Sequence, residues 1–93
     1  MKKYIPTDRQ ERNARSLGVR IAPAKNKAKK LDVFRNGRKV ASIGARGYMD
    51  YDMWLAEKGA GYASERRRLY KIRHERDRHK EGSPGYYADK ILW

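Results

Sequence analysis

Apolar residues are sparse in this chain, and their spacing changes along it. Between residues 31 and 43 they cluster as Leu31, Val33 and Phe34, then Val40, Ala41 and Ile43, around Asn36-Gly37. Asn-Gly is a strong hairpin signal, because a two-residue turn needs positive φ at both positions. Strands over 31–35 and 38–43 follow. A two-residue turn pairs Val33 with Val40 and Phe34 with Lys39. Phe34, Ala41 and Ile43 then share one face, and Val33 and Val40 the other. A lone hairpin is marginal, so helices must cover it.

Helical signals flank the hairpin. Thr7 with Gln10, or Asp8 with Glu11, fits a capping box, and Gly18 fits the far end of that helix. Only Ala14 and Leu17 give it apolar groups, too few for a stable helix alone. Residues 19–30 read as an extended basic linker. Asp50 suits an N-cap for a helix through Lys58, with Gly59 beyond it. Tyr51, Trp54 and Leu55 fall at helical spacing there and are the expected cover for the hairpin. Ser64 suits the N-cap of a longer basic helix running to Glu81 before Gly82. Residues 83–93 form a tail ending Ile91-Leu92-Trp93. Exposed, such an end would be an association liability. Tyr86, Leu92 and Trp93 are therefore the expected anchor, docked on the domain or on a partner.

The chain thus reads as a small single α+β domain over 31–93, a β-hairpin packed by two helices. A basic N-terminal arm over 1–30 precedes it, and an aromatic C-terminal tail ends it.

Charge sharpens this picture. The 93 residues carry 24 Lys and Arg against 11 Asp and Glu, a net charge of +13. Residues 1–30 hold ten basic and two acidic groups; residues 64–82 hold eight and four; the intervening stretch is nearly neutral. Such a balance points to a polyanionic partner. The arm, with Lys25, Lys27, Lys29 and Lys30, suits contact with a polyanion or a neighbouring subunit, and equally suits a solvated tail. On the 64–81 helix, Arg66, Arg67, Tyr70, Arg73 and His74 fall within an arc of about 120°. Guanidiniums donate bidentate hydrogen bonds to phosphate, and a phenol among them can stack on a base. Lys71 and Arg78 extend the basic surface on another side. The competing reading is a solvated face, or arginines stacked on the chain's own Tyr48, Tyr86 or Trp93.

Other chemistry finds little support. The chain has no cysteine, so no disulfide framework or thiolate metal site is available. His74 and His79 lie about 140° apart around a helix and cannot share one ion unaided. There is no nucleophile elbow, no carboxylate pair in an apolar setting, and no phosphate-cradling Gly-rich loop. The expectation is a non-enzyme without cofactor, metal or small-molecule substrate. No apolar run approaches a membrane span.

Three blocks together resemble a family of short basic proteins of unknown function from large double-stranded DNA viruses and phages. The first is Lys39-x-x-x-Ile43-Gly44-x-x-x-Tyr48-x-Asp50-Tyr51, with Ile43 where the family usually has Phe. The second is Arg66-Arg67-x-x-Tyr70-x-x-Arg73-His74. The third is Ser83-Pro84-x-Tyr86 followed by Leu92-Trp93. The resemblance covers about residues 30–93 and implies a viral setting without an established activity. The expected function is a minor structural protein of a virus or phage particle, stapling or lining the capsid and neutralising packaged nucleic acid. Its partners would be nucleic acid backbone, capsid proteins or both. Its location would be the virion, or the host cytoplasm or nucleus during assembly. Two alternatives stand beside it: a free sequence-nonspecific nucleic-acid-binding accessory protein, and a small inhibitor of an acidic host protein.

Overall fold

The computed structural model describes residues 4–93. The hairpin is where the sequence places it. Strands β2 (Lys29–Arg35) and β3 (Arg38–Ala45) pair antiparallel across Asn36-Gly37, whose φ angles are 53° and 78°. The register agrees with expectation only next to the turn. Phe34 faces Lys39, but the pairing then shifts, and Val33 faces Ala41. This bulge leaves Val40 unpaired and 40% exposed. One extra residue reverses the alternation. Val33, not Phe34, therefore shares the core with Leu31, Ala41 and Ile43.

The expected basic arm requires correction for much of its length. Its first three positions lie outside the described residues. Helix α1 (Asp8–Ser16) follows Thr7, whose side chain and Gln10 form the reciprocal capping box. Strand β1 (Arg20–Pro23) then pairs antiparallel with β2, Ile21 opposite Val33, completing a three-stranded sheet in the order β1-β2-β3. Val19 and Ile21 alternate with Arg20, the period of a half-buried strand. Both are buried, as is Ala14 of α1.

The cover on the sheet also differs from expectation. Helices α2 (Tyr51–Lys58) and α3 (Ala60–Arg73) bury one residue between them, Ala63. The apolar face of the sheet packs instead against α1 and the C-terminal segment. There, α4 (Pro84–Tyr87) is capped by Ser83 and continues as a π-helical turn over Ala88–Leu92. Tyr87, Ile91 and Leu92 each keep 2% or less of their surface exposed. Residues 83–93 thus dock on the domain, one of the two placements expected, and do so as helical core rather than as an appended tail.

Helices α2 and α3 form a hairpin of their own. Asp50 caps α2 through the Met53 amide, and Gly59, at φ 88°, separates the two helices. Helix α3 starts four residues before Ser64 and ends at Arg73, well short of Glu81. Residues 74–82 contain no aliphatic or aromatic hydrophobic residue to dock on the body. No tertiary contact of that kind extends the helix, and most helical stability comes from such contacts. No helix among the described residues is long and apolar enough to cross a membrane.

Candidate nucleic-acid interface

Polar contacts fix the α2–α3 hairpin against the body. Asp50, 1% exposed, accepts from Tyr4 Oη at 2.6 Å and from Lys30 Nζ at 2.9 Å. Asp52 accepts from Thr7 Oγ1 and Arg9 Nε, both at 2.8 Å. Lys71 of α3 reaches the buried Asp89 at 2.7 Å. A ring stack adds to these. Trp93 lies nearly parallel to Tyr70, with centroids 4.5 Å apart, and His74 packs on Tyr70 at 4.3 Å. Burial, helped by the negative charges of Asp89 and Asp77, pushes the Tyr70 phenol up to about 12. Burial and the Asp50 hydrogen bond push Tyr4 up as well.

These contacts redistribute the expected basic face. The Arg66 guanidinium lies 5.3 Å from the Trp54 ring centroid, and that of Arg67 lies 3.8 Å from Tyr51, which Arg9 also covers at 4.7 Å. The Nε atoms of Arg66 and Arg67 are buried without a hydrogen-bond partner among the described residues. Flat contact on a ring suits a guanidinium. Arg66 and Arg67 thus stack internally, on rings other than the three the sequence suggested. Tyr51 and Trp54 serve this stack rather than covering the sheet, and Leu55 is 38% exposed. Arg78 pairs with Glu75 at 2.7 Å and lies 3.7 Å from Asp89. Lys30 is buried on Asp50. Neither it nor Lys71 is a free cation, because each faces a buried carboxylate.

Arg73 and His74 remain together, in a cleft of about 650 Å³ between β3, the end of α3 and the C-terminal segment. Buried Ile43 and Leu92 line it, with Tyr70 and Trp93. So do Lys29, Arg73, Arg76 and Lys80, whose side chains make no ion pair among the described residues. The acidic lining residues are Asp50, tied to Lys30, and Asp77, 3.9 Å from His74 Nδ1. Four cations without an ion pair among the described residues thus stand beside a partly apolar lining, and guanidiniums so placed can donate hydrogen bonds to an anion.

Lys25 and Lys27 are exposed on the β1–β2 turn and do not line this cleft. The anchor trio is also revised. Leu92 is buried in the chain's own core, Tyr86 packs against that core, and Trp93 is half-buried on Tyr70. The trio thus docks on the domain itself, the first of the two placements expected of it. Sequence reasoning missed Arg76 and Lys80. The signal for them was the excess of eight basic over four acidic groups in 64–82, which requires unpaired cations without saying which.

No family model matches the chain, and comparison with curated proteins and with solved structures finds no significant match.

Proposed function

We propose that this chain binds nucleic acid through the phosphate backbone, without sequence preference, as a minor structural protein of a virus or phage particle. The observation that carries the binding is the set of unpaired cations Lys29, Arg73, Arg76 and Lys80 around one cleft. Internal pairing holds Lys30, Lys71 and Arg78, whereas these four cations, without an ion pair among the described residues, share one cleft. The particle setting is supported by the three-block resemblance alone. Neutralising packaged nucleic acid remains the favoured role there.

Titration of a labelled oligonucleotide over a salt series tests the binding. Contact with about four phosphates gives a log–log slope near −3.6 on duplex DNA. A flat salt dependence, or strong preference for one sequence, contradicts the reading. Protein identification in purified particles tests the setting; absence there would leave the free accessory protein and the inhibitor of an acidic host protein.

A further inference from the structure

We infer that the cleft takes unpaired nucleotides of a single strand, with Tyr48 as a stacking platform and the neighbouring cations on the phosphates. This rests on the proposed function and narrows it. Phosphate contact alone needs no aromatic lining, yet this cleft places Tyr48, Tyr70 and Trp93 beside its cations. A flat base can use such a lining, because every base has an apolar π-face. A duplex keeps those faces inside its own stack and offers only backbone and groove edges.

Tyr48 supplies the second observation. It is 74% exposed, and its ring makes no hydrogen bond or ring contact among the described residues. It lines the main cleft and also a smaller one of about 220 Å³. Arg73, Tyr70 and Trp93 line both cavities too. Two adjacent hollows meeting at an exposed phenol and an unpaired guanidinium provide a track longer than one nucleotide. Alternating aromatic and basic groups along a groove is the general chemistry of sequence-tolerant single-strand binding.

The test compares three probes of equal length on the full chain: a single-stranded oligonucleotide, its duplex, and an abasic single strand. The single strand should bind tightest. Tyr48→Ala should weaken it about tenfold, leave the salt slope unchanged, and leave duplex and abasic binding unchanged. Tyr48→Phe should retain affinity. Because the Tyr48 ring is exposed, the thermal midpoint should not move in either variant. Equal affinity for all three probes, unaltered by Tyr48→Ala, overturns the inference while leaving backbone binding intact. A single-strand preference that survives Tyr48→Ala also overturns it. No binding of any probe at low salt overturns this inference and the proposed function together.

Discussion

Lys30 is 3% exposed, and its ammonium faces the carboxylate of Asp50, itself 1% exposed. Replacing one member of a buried pair leaves the other charge uncompensated, at a cost of about 3–5 kcal/mol. Lys30→Met should therefore lower stability by that amount in denaturant unfolding; an unchanged midpoint would show that the pair is immaterial. Two glycines provide a contrast at the same scale. Gly37 and Gly44 both have positive φ, 78° and 77°. A Cβ on Gly37 would meet open space, but one on Gly44 would stand 2.9 Å from Leu92 Cδ1 and from Lys30 Cδ. Gly37→Ala should cost about 1 kcal/mol from backbone strain alone. Gly44→Ala should add overpacking of about 1–3 kcal/mol. Equal losses in thermal melts would contradict the close packing at Gly44. Tyr70 carries a pH prediction. Its phenol titrates near 12 in the fold against 10.0 unperturbed. The folded state therefore holds the proton more tightly than the unfolded state between those values. The resulting stability is complete below pH 10 and is lost as pH rises toward 12. Phenolate absorbance should show Tyr4 and Tyr70 ionising above the ordinary tyrosine range. Early ionisation of Tyr70 would mean that its stack on Trp93 does not form.

At the scale of elements, the α2–α3 hairpin differs in kind from the sheet. The sheet shares a closed apolar core with α1 and the C-terminal segment. The hairpin is attached by Lys30–Asp50, Arg9–Asp52, Lys71–Asp89 and the Tyr70–Trp93 stack. Elements with few buried apolar contacts open at lower free energy. Native-state hydrogen exchange should show α2 and α3 amides exchanging well before those of β2; equal protection would contradict this division. The same contrast explains what the sequence could reveal. Asn36-Gly37, the Thr7 box, and Asp50 with Gly59 act within a few residues, and each is legible from local chemistry. The bulge at Val40 was not, because both registers fit the same turn and only the core shared with α1 and the C-terminal segment distinguishes them. Nor was β1, whose short strand has meaning only beside β2. The internal roles of Arg66 and Arg67 depend on α3 lying along α2, a tertiary fact absent from helical periodicity. Lys71 and Asp89 are 18 positions apart, and no spacing rule connects them.

For the whole molecule, the net charge of +13 is not one uniform surface. Carboxylates in the interior, Asp50 and Asp89, hold Lys30 and Lys71, with Arg78 nearby, and rings hold Arg66 and Arg67. Arg73, Arg76 and Lys80 are left beside the cleft with Lys29. On the proposed function, this second group, not the first, meets the polyanion. Two variants decide it: Arg73→Gln with Arg76→Gln and Lys80→Gln, and Arg66→Gln with Arg67→Gln. Each is titrated with a single-stranded oligonucleotide over a salt series and melted in parallel. The triple variant should bind more weakly, with the log–log salt slope reduced in magnitude by about 2, at an unchanged melting temperature. The double variant should melt earlier and keep its slope. A fully folded triple variant with the original affinity and slope would show that the cleft cations do not meet the polyanion.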